Sequence, residues 1–330
     1  MTPSPMLVFD ALLAHQRTEA FKAAIDLKLF TAIDGGATTS DELAEQCKAS
    51  VKGIRVLADF LTVHGFLTKA DSHYALTPDT KMFLVESSPA YMGGMVTFML
   101  HPFMRKSHED LTGVVRKGGT LIPGGSVTPD NPVWVDFARG MMAMMMPAAQ
   151  KIAELTAGAG PQKVLDIAAG HGLFGIVVAQ RNPEAVIYAV DWKALLAVAR
   201  DHADQFGVRE RWHALDGDAF VTDYGSGYDL ALVTNFVHHF DFDTNAGLLK
   251  RVRAALKPGG KMVILEAVVN DDRVTPPGAA TFALTMLATT VAGDSYSFRE
   301  LEALCQGAGF TAVEHHEVPH TPQTVTIAAN

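Results

Sequence analysis

The sequence predicts an α/β protein, a doubly wound and mostly parallel sheet preceded by an α-helical domain of winged-helix pattern. Three observations predict it. From Lys163 onward, short apolar runs of strand character alternate with stretches of helical periodicity. Val164–Ile167 gives way to Ala168-Ala-Gly-His-Gly172 before helical spacing resumes at Leu173, the strand, glycine turn and helix order of a nucleotide loop. The stretch from Ala11 to Leu84 reads as three helices and a small hairpin.

Ala20, Phe21, Ala24, Ile25, Leu27 and Leu29-Phe30 recur at helical spacing, and Gly35-Gly36 ends that segment. Thr39-Ser-Asp-Glu42 opens a second helix with a capping pattern, running to about Cys47. Ser50 caps a third, on which Ile54, Leu57, Ala58, Leu61 and Val63 share one apolar face. Phe66-Leu67 and His73–Leu76, separated by Ala70-Asp-Ser72, form a two-stranded wing. Residues 90–155 are helical and rich in methionine, with loops at Pro123–Gly125 and Pro129–Pro132. Met141, Met142, Met144, Met145 and Met146 serve either as core filler or as an adaptable apolar lining. Trp134 and Phe137, just before them, are placed to close over a ligand. The expected strands are Lys163–Ile167, Ala185–Val190, Trp212–Ala214, Asp229–Thr234, Lys261–Ala267, Ala312–Glu317 and Thr324–Ala328. Helices fall between them at Lys193–Phe206, Ala246–Leu256 and Phe298–Gly307. The chain is expected to divide into residues 1–100, the winged-helix-like domain, and 101–330, a helical linker and lid followed by the sheet.

A chain of 330 residues has room for about two domains. With 48% hydrophobic and 19% charged residues it can fill a sizeable core and still leave an apolar subunit interface. A net charge of −9 argues against nucleic acid or an anionic membrane as partner. The third helix points the same way, offering only Lys52 and Arg55 with Asp59 beside them. Cys47 and Cys305 lack metal-type spacing and read as thiols in a reducing compartment. Met1–Gln16 shows no secretory pattern, and Tyr91–Met104 and Phe282–Gly293 are too short or interrupted to span a bilayer. A cytoplasmic location is the expectation.

Gly170 and Gly172 permit a tight turn and close backbone approach, and with Gly175 they satisfy the literal dinucleotide pattern. Asp166 decides between ligands. At a strand's carboxyl end it would repel a pyrophosphate, which argues against NAD and against an NAD-dependent oxidoreductase. It suits a cationic ligand such as S-adenosylmethionine. Asp191, ending the next strand, can accept from ribose hydroxyls in either case, and Trp192 is either packed on an adenine edge or structural. Asp218 can accept from an adenine amino group, with Ala219 beside it and Phe220 stacking on the ring. The stretch Val233–Asp241 places Asn235 among the cofactor-binding residues and His238 as a general base. His239 points about 100° away if the segment is helical, so one histidine of the pair is expected to face the cleft. Glu266, ending the strand Met262–Glu266, can hold the other imidazole N–H and fix its tautomer. Asn270-Asp-Asp272 reads as a turn, and no metal site is expected.

These residues resemble the bacterial branch of the plant-type, class I S-adenosylmethionine-dependent O-methyltransferases, such as the caffeate, acetylserotonin and hydroxyneurosporene enzymes. Ile25–Phe30, Thr39–Leu43 and Tyr74–Pro78 are similar to that family's amino-terminal dimerisation domain. Asp166–Gly172 resembles its donor loop, with Ala168-Ala169 where glycines are usual, and Gly217–Phe220 and Leu256–Gly260 resemble two further motifs. The resemblance implies a Rossmann-like methyltransferase sheet, a homodimer formed through the amino-terminal domain, and a small-molecule acceptor. It implies S-adenosylmethionine as donor, S-adenosylhomocysteine as product, no metal, and SN2 transfer to oxygen with His238 as base. Glu266 falls on one of two acids flanking the base, and Ser295 stands where the second is usual, with Asp294 next door. His239-Phe240 replaces the usual Asp-Trp. That missing acid keeps open a member of the fold that binds the donor for elimination or rearrangement. Phe98, Met141, Met145, His239 and Met286 are the expected substrate-lining residues.

Overall fold

The computed structural model describes residues 3–129, 131–319 and 321–330, so Met1, Thr2 and Asp130 of the expected Pro129–Pro132 loop lie outside the described residues. The chain divides into two compact units, Met1–Val96 and Thr97–Asn330, which puts Phe98 in the second.

The first unit carries α1 (Met6–Asp26), α2 (Leu29–Asp34), α3 (Ser40–Gln46), α4 (Val51–Val63), β1 (Leu67–Ala70), β2 (His73–Leu76) and α5 (Pro78–Leu84). Helix α3 starts where Thr39 and Glu42 close a reciprocal capping box, and the Ser50 hydroxyl accepts from Gly53 N–H to start α4. Ile54, Ala58 and Leu61 on α4 pack with Leu29, Phe30 and Leu43 into one core, with Leu57 partly buried against it, whereas Val63, expected on the same face, is exposed at the end of the helix. The wing is an antiparallel hairpin with Leu67 opposite Leu76. Arg55 is paired with Asp59, which also accepts from Lys69 and the Tyr74 hydroxyl. Helix α1 keeps Leu7, Phe9 and Leu12 exposed, Leu7 by 81%.

After α6 (Met95–Met99), the second unit opens with α7 (Pro102–Glu109), α8 (Leu111–Lys117), α9 (Val133–Gly140) and α10 (Met142–Thr156). Then β3 (Gln162–Ile167), α11 (Leu173–Arg181), β4 (Ala185–Asp191), α12 (Lys193–Gln205), β5 (Trp212–Asp216) and β6 (Tyr228–Thr234) alternate. They continue as α13 (Phe242–Ala255), β7 (Leu256–Ala267), α14 (Pro277–Thr289), α15 (Phe298–Gly307), β8 (Ala312–Glu317) and β9 (Gln323–Ala329). The seven strands lie in the order β5-β4-β3-β6-β7-β9-β8. Strands β3 to β7 pair in parallel, and β8 and β9 pair antiparallel. Successive strands run outward from β3 on one side and from β6 on the other, so the winding reverses between these two. That reversal opens a crevice at their carboxyl ends, where open α/β sheets bind ligands. Observed strands match the expected ones or extend them by a residue or two. The exception is β7, which starts at Leu256 because Leu256 pairs with Tyr228 ahead of a register shift.

The glycine turn divides its work by position. Ala168, Gly170 and Gly172 all take positive φ, at 52°, 56° and 72°. For Ala168 that conformation is strained, since an L side chain there meets its own backbone. A Cβ on Gly172 would approach Ala199 Cβ to 3.0 Å, so this glycine also brings α12 close. Gly175, the third glycine of the pattern, lies inside α11 with ordinary helical backbone. A Cβ there would meet Ile187 Cγ2 at 2.7 Å and Asp166 Oδ2 at 2.9 Å. Its absence is a packing requirement between helix and sheet. Gly175→Ala should therefore lower stability by about 1–3 kcal/mol through overpacking, read from urea midpoints. An unchanged midpoint would mean that the α11 contact is slack.

Candidate active site

Every loop at the carboxyl end of the parallel strands contributes to one cavity of about 490 Å³. Ala168–His171 follow β3, Asp191-Trp192 end β4, Gly217–Phe220 follow β5, and Thr234–Phe236 with His238–Phe240 follow β6. The other walls come from helices of the same unit and are mostly apolar, with Phe98, Met99, Met104, Phe137, Met145 and Met286 among them.

The β6 loop is fixed before any ligand arrives. Asn235 takes φ 51°, and one turn of 3-10 helix, Val237–His239, follows. Glu266, buried near the end of β7, accepts from the backbone N–H groups of Phe236 (3.0 Å) and His238 (3.3 Å) with Oε1. Its Oε2 lies 2.5 Å from His238 Nδ1. Nδ1 is thereby engaged, and Nε2 is the nitrogen left for a substrate. Behind this turn the buried Asn245 amide donates to the Val237 (2.9 Å) and Phe240 (3.2 Å) carbonyls, and the Tyr296 hydroxyl donates to Phe240 O at 2.6 Å. Asp294 N–H donates to His238 O at 3.0 Å. The Asp294 carboxylate is exposed and accepts from Ser295 N–H, so it does not stand in for a second acid beside the base. The Ser295 hydroxyl is buried and donates to Ala279 O. Glu266 is His238's one carboxylate partner among the described residues.

Both histidines line the cavity, where one was expected. Their rings lean together with centroids 4.2 Å apart, because the turn stands at the strand end and the cavity wraps around it. His239 Nδ1 is buried without a partner. Burial, with His238 alongside, holds the His239 imidazole well below its ordinary pKa, and it is neutral. Trp134 stands edge-on to it at 5.1 Å, and Phe282 stands edge-on to His238 at 4.9 Å.

On the β3–β4 side, Asp191 Oδ2 accepts from Gly170 N–H (2.8 Å) and Oδ1 from Trp192 N–H (2.7 Å). Asp218 caps the next loop by accepting from Phe220 N–H. Gly170, Asp191, Trp192, Asp218, Ala219, Phe220 and Asn235 all reach the cavity, as do Phe98, Met141, Met145, His239 and Met286. Asp166 and Gly172 do not. Asp166 lies inside the central strand β3, paired with Ala189 and Leu232, and is fully buried beneath the loop. Its Oδ2 accepts from Gly175 N–H at 3.3 Å and its Oδ1 is buried without a partner, so it braces α11 from behind and does not line the cavity. Burial pushes its carboxyl up to about 7 against the pull of that N–H, and Asp191 adds to the rise. Asp191 is pushed up to about 6 by burial, opposed by its two backbone donors.

Gln323 and Ser126 are among the wall residues that the sequence did not mark. Gln323 donates to Asn235 Oδ1 at 2.6 Å, and Asn235 in turn donates to Met145 Sδ. An antiparallel β9 puts its amino end at the carboxyl ends of its neighbours, so the topology, once known, points to Gln323. Ser126 brings a buried, unpartnered hydroxyl, and nothing in its surroundings along the chain marked it.

Comparison with known proteins adds the decisive observation. Residues 125–311 match the O-methyltransferase domain, and residues 9–86 match the O-methyltransferase dimerisation domain. The chain belongs to the O-methyltransferase family. It is 47% identical, with a TM-score of 0.96 over the whole of both chains, to a crystal structure from Nostoc punctiforme PCC 73102 provisionally described as an O-methyltransferase. It is 26% identical to the 3-hydroxy-5-methyl-1-naphthoate 3-O-methyltransferase of Streptomyces sahachiroi, over 94% of this chain and 90% of that one. Human N-acetylserotonin methyltransferase, solved in complex with S-adenosylmethionine, shares the fold with a TM-score of 0.85 at 19% identity, over 100% and 98% of the two chains.

The raised pKa of Asp166 in this O-methyltransferase has a consequence for stability. Between about pH 4 and pH 7 the unfolded chain has released the proton that folded Asp166 keeps, so stability falls as pH rises through that window, by roughly 4 kcal/mol at most. Asp166→Asn keeps an acceptor for Gly175 N–H and removes the titration. The fall in Tm from about pH 5 to about pH 8 should shrink by half or more in this variant. An unchanged fall would assign it to other groups.

Proposed function

We propose that this enzyme transfers the methyl group of S-adenosylmethionine to a hydroxyl on an apolar, aromatic or polyene-like small molecule, with His238 as general base. The observation that carries the reading is the His238–Glu266 pair, whose free Nε2 stands in a cavity of largely apolar walls. The donor set fits S-adenosylmethionine. Asp191 is placed for the ribose hydroxyls, Asp218 for the adenine amino group, and Phe220 and Trp192 for the adenine faces and edge. Ala168–Gly170 and Asn235 border the remaining space toward His238.

When bound, S-adenosylmethionine supplies a methyl group already activated on a sulfonium. The protein's tasks are then to align the acceptor oxygen and to take its proton. A phenol is a far weaker acid than an imidazolium, so proton transfer to Nε2 accompanies attack rather than preceding it. The Glu266 carboxylate stabilises the imidazolium that forms and holds the ring in the tautomer with Nε2 free. This chemistry assigns no role to a metal. The exposed apolar row on α1, within the dimerisation domain, supports a homodimer formed through the amino-terminal unit.

His238→Ala should lower kcat by about 10²–10⁴-fold while leaving S-adenosylhomocysteine affinity within a few-fold, measured by calorimetry alongside turnover. Glu266→Gln should fall between wild type and that variant. Mass spectrometry of the product should show the gain of one methyl group. Products of unchanged mass from consumed acceptor would replace transfer by elimination or rearrangement. Sedimentation should show a dimer that Leu7→Glu with Leu12→Glu dissociates, and a wild-type monomer would remove the homodimer assignment.

A further inference from the structure

One group on the cavity wall has no part in the reading so far. His171 sits between Gly170 and Gly172 in the loop after β3, only 1% exposed, and lines the cavity. Its Nδ1 accepts a hydrogen bond from Leu173 N–H at 3.1 Å, in the first turn of the nine-residue α11. A backbone N–H can only donate, so Nδ1 carries the lone pair and Nε2 carries the hydrogen. That Nε2 is buried and has no partner. The ring is held flat against Phe137, with an interplanar angle of 14° and centroids 5.6 Å apart, and Phe174 packs on it at 5.4 Å. Burial, with His202 adding, lowers its pKa to about 3, so the ring is a neutral donor. A buried N–H without an acceptor is costly and uncommon. This one belongs to a residue of the cavity wall whose ring is held by Phe137 and Phe174, and it stands beside a helix amino terminus that favours anions.

We propose that His171 Nε2–H is the group that recognises the α-carboxylate of the methionyl chain of the donor. The inference rests on the reading that the cavity holds S-adenosylmethionine, and it adds a specificity-determining residue to it. Asp191 and Asp218 provide acceptors, which suit hydroxyls and amines. A carboxylate needs donors, and His171 is the side chain of the loop that has one to spare. The helix terminus and the imidazole together offset the repulsion from Asp191 on the same wall. The geometry also gives His171 two separable jobs. Nδ1 caps the start of α11, and Nε2–H reads the ligand.

Two probes and two variants separate these jobs. The probes are S-adenosylhomocysteine and S-adenosyl-3-thiopropylamine, which differ only in the carboxylate. Their dissociation constants would be measured by calorimetry on the full chain. Wild type should bind S-adenosylhomocysteine at least about tenfold more tightly than the decarboxylated probe. His171→Asn, whose amide oxygen stands close to the place of Nδ1, should keep the cap and lose most of that preference. His171→Gln, whose amide nitrogen stands close to the place of Nε2, should keep most of the preference while lowering Tm. Equal wild-type affinities for the two probes would overturn the proposal without any variant. So would parallel losses for both probes in His171→Asn, which would leave the residue a loop brace. Failure of wild type to bind either probe would remove the donor reading itself, a different result from binding both alike.

Discussion

The contact between Glu266 and the His238 turn is the constraint on which the site depends. It joins the end of β7 to the loop after β6 through three hydrogen bonds accepted by one carboxylate, two from backbone N–H groups and one from the imidazole. The acid is buried, so its charge is tolerable only while those donors stay in place. They hold the loop in one conformation, and Asn245 and Tyr296 tie down its carbonyls from the other side. The loop's backbone is thus bonded on both faces, which makes the direction of Nε2 a property of the fold rather than of a side-chain rotamer.

As the proposed base, His238 needs little else from the protein once the methyl group is activated. The remaining walls exclude water and define a shape, and here they do so with thioethers and aromatic rings. Methionine at positions 141, 144, 145 and 286 gives a lining that adjusts to contour at small cost. The aromatic groups around His239 are stiffer. Trp134 is fixed by its Nε1–H bond to Ser126 O, and it meets both Phe98 and His239. One part of the cavity wall is therefore rigid and another yielding.

The architecture was legible because it rests on periodicity. A parallel strand buried on both faces reads as a short continuous apolar run, and Leu230–Val233 and Met262–Leu265 are such runs, so the sheet follows from local sequence. The carboxyl-end positions of Asp191 and Glu266, and of His238 in the turn after β6, followed from the strand assignments. Depth was harder. Asp166 pairs with Ala189, two residues short of Asp191, so Asp191 reaches the cavity while Asp166 stops beneath the loop and accepts from Gly175 N–H. The register that sets this depth is tertiary information. Gln323 is the opposite case, invisible until the strand order is known and then required by it.

Asp166 and Ala168 show what the loop costs. A carboxyl without solvent and an alanine at φ 52° are both unfavourable, and neither would persist unless the surroundings over-determined it. They act on the same short segment. The carboxyl fixes Gly175 N–H and hence the first turn of α11, while the left-handed residues curl the backbone over that carboxyl. The loop is consequently stiff before a ligand arrives, and little ordering remains to be done when the donor binds. Glycine at 168 would relieve the strain and widen the unfolded ensemble, two effects of opposite sign on stability. What alanine keeps is a methyl group on the cavity wall, beside the space assigned to the methionyl chain. Strain and shape are traded at that one position, and the trade is made on the wall of the proposed donor site.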